Sequence, residues 1–167
     1  AGVVGGLNSG VSEETQDIFL EAAFFTNEKV RHTARRFGIE TESGQRFSRG
    51  TDPEGVVNAM NRACELIQQV AGGQIGSDFL DDYPSPVVRE PVVVSTAYVE
   101  ERCGYPVTNE DFSQWMTRLG CQIKEIGKGE FEILAPVFRW DLFADVDFVE
   151  EYARLNGYDT IPEAMPS

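Results

Sequence analysis

The sequence predicts an α+β protein built in two parts. In the first half, apolar residues recur at helical spacing after residue 26 and again after Pro53. In the second half, short helical patterns precede a segment in which apolar and polar residues alternate around a glycine turn, which is typical of a β-hairpin. A stretch rich in glycine, proline and aspartate lies between them. We therefore expect one domain over residues 1–76, a linker over 77–87 and a second domain over 88–167.

Composition restricts the class of protein. The 167 residues, 41% of them hydrophobic, are enough to bury a core without covalent crosslinks. Cys64, Cys103 and Cys121 are odd in number and lack CxxC spacing, so they indicate neither a disulfide framework nor a thiolate zinc site. The N-terminus carries no secretory signal and the chain no long apolar run, so we expect a cytoplasmic protein without a membrane span. The absence of an initial methionine indicates a piece of a longer polypeptide.

The charge is strongly acidic, and one short segment is the exception. A net charge of −14 argues against a protein that binds nucleic acid over its whole surface, because phosphates require a basic surface. Residues 29–49, by contrast, contain six lysines and arginines and only two acids, Glu40 and Glu42. The cations are Lys29, Arg31, Arg35, Arg36, Arg46 and Arg49, and the only histidine, His32, lies among them. This basic segment either meets an anionic partner or pairs with acids of its own domain.

The first predicted elements are a strand and a helix. Residues 18–25 form a short apolar run that suits a buried strand, which we favour, as well as a buried helix. A helix should begin near Asn27, place Val30, Ala34 and Phe37 on one face, and end at Gly38. His32 then lies on the arginine-bearing face without a serine or cysteine partner, which indicates a surface residue.

The next helix has clear start and stop signals. Asp52 is a suitable N-cap, Pro53 suits the first helical position, and Gly72 ends the pattern. The apolar face of this helix comprises Val56, Met60, Ala63, Ile67 and Val70.

The second half predicts a strand, two helices, a hairpin and a closing helix. The strand covers residues 91–94, the first helix 96–103, the hairpin strands 121–126 and 130–135, and the closing helix 145–156. Thr108 should cap the second helix with Asp111 in a capping box, and Gly120 should end it. The apolar stripe of that helix comprises Phe112, Trp115, Met116 and Leu119.

This order of elements is that of a helix-turn-helix followed by a wing. The second helix nevertheless carries a single basic residue, Arg118, beside Glu110 and Asp111. We therefore interpret the likeness as architecture, and keep a non-enzymatic nucleic-acid-binding module of helix-turn-helix type as the alternative function.

Five carboxylates crowd into eleven residues near the C-terminus, which is costly unless a cation or a basic partner balances them. They are Asp141, Asp145, Asp147, Glu150 and Glu151. Three explanations stay open. A metal ion binds there, Arg139 binds one of the acids bidentately, or Asp145 caps the closing helix while Asp147, Glu150 and Glu151 favour its positive N-terminal end.

Several motifs resemble the bacterial phenylalanyl-tRNA synthetase β-subunit family. Residues 136–162, with Arg139-Trp140-Asp141 and the run from Ala153 to Pro162, resemble the end of a small domain of that family. Four motifs of the first half resemble the end of its tRNA-editing domain, in the same order: residues 5–9, 20–25, 31–36 and 46–53. The resemblance implies a partial editing-domain α/β layer followed by a small helix-turn-helix-like domain with a β-hairpin.

The resemblance also implies a function and a set of site residues. The family attaches phenylalanine to its tRNA with ATP and magnesium, in an αβ heterotetramer whose adenylating site lies on the α subunit. Magnesium would be bound by Asp141, Asp147, Glu150 and Glu151. In the editing pocket, which hydrolyses mischarged tyrosyl-tRNA, Glu21 would accept the phenol hydrogen bond, Gly2 would allow close approach, and Ser43 would replace an alanine. Arg31, Arg35, Arg36, Arg46 and Arg49 would contact tRNA. The isolated piece is expected to be inactive and mainly structural.

Overall fold

The computed structural model describes residues 1–161 and consists of two compact units, Ala1–Val87 and Val88–Ser167. Six α-helices and one three-stranded antiparallel sheet in these residues confirm the predicted α+β class. Pro162, which closes the C-terminal motif, and the last five residues of the second predicted domain lie outside the described residues. Within residues 1–161, no helix combines the length and hydropathy needed to cross a membrane.

The first unit contains helices α1 (Asn27–Phe37), α2 (Glu42–Arg49) and α3 (Val56–Ala71). Helix α1 has the predicted bounds and ends at Gly38 in the left-handed conformation, with φ of 63°. Helix α2 was missed. The Thr41 hydroxyl caps it by accepting a hydrogen bond from the Gly44 amide at 2.9 Å. Because α2 has only eight residues and one large apolar side chain, Phe47, hydrophobic periodicity does not reveal it.

Helix α3 was predicted, but it begins later than expected. Asp52 caps a turn and not the helix, because its carboxylate accepts a hydrogen bond from the Glu54 amide at 3.0 Å, and the helix starts at Val56. The end at Gly72 is confirmed. None of the residues of α3 is buried, and Val70, at the end of its apolar face, is largely exposed.

The strand predicted over residues 18–25 is wrong. The segment is not part of a helix or strand, and Phe19 in it is 91% exposed. A strand needs a neighbour for its backbone hydrogen bonds. Among the described residues of the first unit there is no strand with which it can pair, so the apolar run contacts its surroundings only through Phe25 and other half-buried side chains.

The second unit follows the predicted order. It contains β1 (Val92–Ser95), α4 (Thr96–Cys103), α5 (Asn109–Arg118), β2 (Gln122–Gly127), β3 (Glu130–Leu134) and α6 (Asp145–Asn156), followed by a 3₁₀ turn (Tyr158–Thr160). The sheet order is β1-β3-β2, so β3 is central and pairs antiparallel with both neighbours. The predicted hairpin is confirmed, and the strand before α4 joins it in the same sheet.

A continuous hydrophobic core fills the second unit between the sheet and its three helices. Phe112 of α5 lies against Phe131 of β3 and Tyr152 of α6, with ring centroids 5.6 and 5.8 Å apart. Met116, from the same predicted stripe, is also fully buried. In the first unit, by contrast, the buried hydrophobic residues are Val3 and Val30. In the second unit, close packing of this core therefore fixes the position of helix α6.

Candidate functional site

An ion-pair network joins the loop before α6 to the helix itself. The Arg139 guanidinium binds Asp141 bidentately, with Nε to Oδ1 at 2.9 Å and Nη2 to Oδ2 at 2.7 Å. The same guanidinium donates to Glu151 on α6, with Nη1 to Oε2 at 3.2 Å. Arg154, one turn further along α6, donates from Nη2 to Glu151 Oε2 at 2.7 Å. Two arginines and two carboxylates thus form one electrically balanced chain.

Burial makes this network different from a surface ion pair. Glu151 is only 7% exposed, and a carboxylate in such a position is tolerated when it is paired and hydrogen-bonded. Hydrogen bonds from Arg154 and Arg139 lower the pKa of Glu151 against the opposing effect of burial. The bidentate bond from Arg139 likewise lowers the pKa of Asp141. Both acids are therefore held ionised.

The other predicted metal ligands have different surroundings. The Asp147 carboxylate accepts hydrogen bonds from the amides of Phe143 and Ala144, both at 2.8 Å, and so caps the N-terminus of α6. Asp145, which was expected to be the cap, is the first residue of the helix, and Ala144 is the N-cap position. Glu150 is exposed.

These residues do not form an assembled magnesium site within the chain. Magnesium prefers oxygen ligands in a near-octahedral shell. Asp141 and Glu151 direct their oxygens to arginines, and Asp147 directs one of its oxygens to the backbone. Within residues 1–161, no three side chains of His, Cys, Asp or Glu come together in a way that could hold a metal ion. Of the three explanations of the acidic cluster, the arginine counter-charge accounts for Asp141 and Glu151, and helix capping accounts for Asp147.

Sequence reasoning missed two arginines at this site. Arg154 was recognisable, because a basic residue three positions after Glu151 on a helix lies beside it. Arg89 was not recognisable, because it lies three residues before β1 and meets the loop before α6 only when the unit is folded. Its guanidinium donates to the Arg139 carbonyl at 2.7 Å and lies 4.9 and 4.6 Å from the ring centroids of Trp140 and Phe143. Arg89 therefore holds the loop that presents Arg139.

In the first unit, two of the three predicted pocket residues are in contact. The Ser43 hydroxyl donates to the Gly2 carbonyl at 3.1 Å, and Thr41 donates to the neighbouring Val3 carbonyl. Gly2 has φ of +73°, and a Cβ there would lie 2.8 Å from the Phe25 ring. The N-terminal segment thus packs on the start of α2, and glycine at position 2 is required by this packing.

Glu21, the third predicted pocket residue, lies apart from that contact. It is exposed in the segment that precedes α1, and no ion pair joins it to another residue within 1–161. Within the described part of the chain, the Glu21 carboxylate therefore has no arginine as a counter-charge.

The cations of α1 and α2 remain largely without acid partners. Arg46 pairs with Glu42 at 3.4 Å, and both side chains are more than three quarters exposed. Arg31 donates to the Ser48 carbonyl at 2.8 Å and so links α1 to α2. His32 is exposed, as predicted.

Comparison with known proteins matches both units. The B3/4 domain family matches residues 1–72, and the tRNA synthetase B5 domain family matches residues 92–158. The phenylalanine–tRNA ligase beta subunit of Bdellovibrio bacteriovorus is 51% identical over the whole chain, and those of Acinetobacter baylyi and Geobacter metallireducens are 43% and 38% identical over 99% of it. The chain belongs to the phenylalanine–tRNA ligase beta subunit family. It spans about a fifth of the length of these relatives, 20 to 21%.

Family membership assigns each candidate site to a domain. The Gly2–Ser43 contact, Glu21 and the basic helices α1 and α2 lie within the B3/4 match. The Asp141–Arg139–Glu151–Arg154 network and the Asp147 cap lie within the B5 match. Arg89 precedes that match by three residues, although its side chain holds the loop inside it.

Proposed function

We propose that this chain serves as part of the beta subunit of a phenylalanine–tRNA ligase, an enzyme that attaches phenylalanine to its tRNA using ATP. The partner would be the α subunit, in an αβ heterotetramer. The observation that carries the proposal is one match, 51% identical, that runs through both units in order. The fold supports a structural role for the second unit, called the B5 unit below because it contains the B5 match. Its hydrophobic core and the ion-pair network on α6 give it a rigid surface.

A chimera tests this proposal. The 167 residues would replace the matched segment of the Bdellovibrio bacteriovorus beta subunit, which would be co-expressed with its α subunit. We expect an αβ assembly that charges tRNA with phenylalanine within about tenfold of the parent rate, which corresponds to about 1.4 kcal/mol in the activation free energy. An assembly of normal size that does not aminoacylate tRNA would contradict the proposal.

We further propose that Gly2, Glu21 and Ser43 belong to an editing pocket that discriminates tyrosine from phenylalanine. The Ser43–Gly2 hydrogen bond supports a common location for two of them, and the exposed Glu21 carboxylate is able to accept a phenol hydrogen bond. In the chimera, Glu21→Ala should slow hydrolysis of tyrosyl-tRNA by about 10- to 100-fold, which is the loss of one hydrogen bond to a charged group. Phenylalanine charging should not change. Glu13→Ala, at another exposed acid, is the control, and equal editing by both variants would overturn the assignment.

For the acids of the B5 unit we propose that Arg139, and not magnesium, supplies the counter-charge within this chain. A site with a dissociation constant of about 1 mM would add about 1.4 kcal/mol of stability at 10 mM Mg²⁺. We expect no such increase in the free energy of unfolding when MgCl₂ is compared with NaCl of equal ionic strength. A magnesium requirement of the full assembly would then involve other groups or the α subunit.

The helix-turn-helix alternative lacks support. Residues 88–167 contain seven basic and fifteen acidic residues, and Arg118, the single base of α5, lies 4.8 Å from the Trp115 ring. This alternative would be supported if the second unit bound duplex DNA tightly and with a steep dependence on salt concentration.

A further inference from the structure

A groove of about 520 Å³ lies between helix α5 and strand β2 of the second unit. Ile123 and Phe131 form its apolar part, and Glu125 of β2 also lines it. On the other side, α5 contributes polar side chains, among them Glu110 and Gln114. We call this feature the α5–β2 groove. None of the residues of the two candidate sites lines it.

Strand β2 borders the groove with a free edge. In the sheet order β1-β3-β2, this strand pairs with β3 on one side, and no other strand of residues 1–161 lies along its second side. Every second residue of an edge strand directs its amide and carbonyl away from the sheet, where another extended segment is able to pair with them. The register of β2 shifts between Glu125 and Gly127, so the regular edge covers residues 122–125, a length of about 13 Å.

The charge of the groove selects the kind of segment that fits this edge. Glu110 and Glu125 are exposed, and neither forms an ion pair within residues 1–161. The Glu125 carboxylate accepts a hydrogen bond from the Asn109 side-chain amide at 3.3 Å. Because side chains alternate along a strand, Lys124 faces the opposite side of the sheet from Ile123 and Glu125. The groove therefore repels anions such as nucleic acid and attracts a segment that carries arginine or lysine.

The polar lining of the groove favours a transient partner over a permanent one. Interfaces within obligate complexes are more hydrophobic than those between proteins that associate and separate. The half-buried Ile123 and the buried Phe131 are the apolar residues of the groove, and the other residues that line it are polar or charged. The groove therefore fits a segment of a separate polypeptide better than a permanently attached part of the same enzyme.

We propose that the α5–β2 groove binds an extended basic segment of another polypeptide, which adds a fourth strand to the sheet beside β2. The backbone of this segment pairs with residues 122–125, an apolar side chain lies on Ile123, and basic side chains at alternate positions meet Glu110 and Glu125. The interaction goes beyond the function proposed above and does not depend on it. A second copy of the chain fits poorly, because pairing of β2 with another β2 brings like carboxylates together.

The test uses the 167-residue chain and a seven-residue peptide in which threonine alternates with arginine, valine and arginine. The valine faces Ile123, and an arginine on each side of it serves both possible directions of the added strand. We expect a dissociation constant of about 0.1 to 1 mM, because a few hydrogen bonds and exposed ion pairs supply the affinity. A titration followed by amide chemical shifts measures it, and the shift changes should concentrate at residues 122–126 and on α5.

Two matched pairs of chain variants test the role of charge. Glu110→Gln with Glu125→Gln should weaken binding about tenfold, or about threefold for each exposed ion pair. The control, Glu90→Gln with Glu101→Gln, removes the same charge from two exposed acids outside the groove and should bind like the parent chain. Glu110→Lys with Glu125→Lys should instead prefer the peptide that has glutamate in place of arginine. All of these side chains are exposed, so each variant should fold, and an unchanged amide spectrum away from the groove verifies this.

Two methylated peptides test the strand pairing. One carries a methyl group on the backbone amide of valine, and the other carries it on the amide of the threonine that follows. Because successive amides of a strand point in opposite directions, only one of these two amides faces β2. One peptide should therefore lose binding, and the other should bind like the unmodified peptide.

Several results would overturn the inference. They are equal affinities of the groove variant and its control, equal affinities of the two methylated peptides, and shift changes that concentrate outside the groove. A dimer of the chain alone that dissociates when the peptide is added would assign the edge to a second copy. The peptide should also bind the αβ assembly that contains the chimera. If it binds the isolated chain but not that assembly, the enzyme itself fills the groove and the separate partner is excluded.

Discussion

Glu151 is a buried acid of the second unit whose charge is balanced by two arginines. It is buried on α6 and receives hydrogen bonds from Arg139 and Arg154. Glu151→Gln keeps the shape but removes the charge that both arginines need. We expect the free energy of unfolding to fall by about 2 kcal/mol, since a hydrogen bond to a charged group contributes about 1.5–3 kcal/mol. Urea unfolding followed by tryptophan fluorescence measures this, because Trp115 and Trp140 both lie in the second unit.

Glu150 provides the matched control for that experiment. It precedes Glu151 on the same helix turn and is exposed. Glu150→Gln should change the unfolding free energy by less than about 0.5 kcal/mol. Equal effects of the two substitutions would show that the network does not stabilise the unit.

The network also predicts a dependence of stability on pH. The pKa values of Asp141 and Glu151 are lowered in the folded state by their arginine partners, whereas in the unfolded chain they return to about 4. A lowered folded pKa contributes stability above the unfolded value, and this stability is lost as the pH falls below about 4. We expect the unfolding midpoint in urea to be constant from about pH 7 to 5 and to drop below that. Glu151→Gln should show a shallower drop, and an identical profile would contradict this explanation.

Among the elements, helix α5 has the clearest local determinant. The Thr108 hydroxyl accepts a hydrogen bond from the Asp111 amide at 3.1 Å, which confirms the predicted N-cap, and donates one to the Asp111 carboxylate at 2.8 Å, where a capping box would have the Thr108 amide as donor. Thr108→Ala should reduce the unfolding free energy by about 1 kcal/mol. Thr117→Ala, within the same helix, removes a hydroxyl bonded only to the Ser113 carbonyl and should change it by less than about 0.5 kcal/mol. A larger loss from Thr117→Ala would contradict the capping argument.

The elements differ in how well sequence predicts them, for a physical reason. Helices α1, α4, α5 and α6 and the hairpin have caps or turns within their own segments, so local residues such as Gly38 and Thr108 specify them. The apolar run 18–25 has no such signal, and its conformation depends on whether another strand lies beside it. Helix α2 depends on a single cap, Thr41, and on contact with the N-terminal segment.

For the whole molecule, the two units should differ in stability. The second unit has a continuous core, while the first buries the hydrophobic residues Val3 and Val30. Cysteines report on each unit separately. Cys64 on α3 is half-buried, whereas Cys103 and Cys121 are buried in the second unit, where burial raises the pKa of Cys121 to about 11.

We therefore expect a thiol reagent at pH 8 to label Cys64 in the native chain and to spare Cys103 and Cys121. As urea is added, those two should become reactive in the same range in which tryptophan fluorescence changes, because both signals arise from the second unit. Mass spectrometry of the labelled peptides gives the three rates. Uniform labelling of all three cysteines would contradict the difference between the units.

The two candidate sites were predictable to different degrees. The acids of residues 141–151 stand out because they lie in one recognisable run, whereas Gly2 and Ser43 were predicted as pocket residues only from the family resemblance. The motifs offered Arg139 as one counter-charge of the acids, but they did not identify the second, Arg154. Nor did they identify Arg89, which is fifty residues away from Arg139 in sequence and reaches its carbonyl only in the folded unit.

The amino-acid order specified the α+β class, the family, most helix bounds and the concentration of cations between residues 29 and 49. All of these depend on interactions between residues close in the chain or on motifs read in order. Tertiary structure decided that Arg139 and Arg154 neutralise Glu151, that residues 18–25 form no strand, and that Arg31 joins two basic helices into one surface. Those outcomes depend on which distant groups meet, since the energy of an ion pair or a strand pairing exists only once both partners are in place.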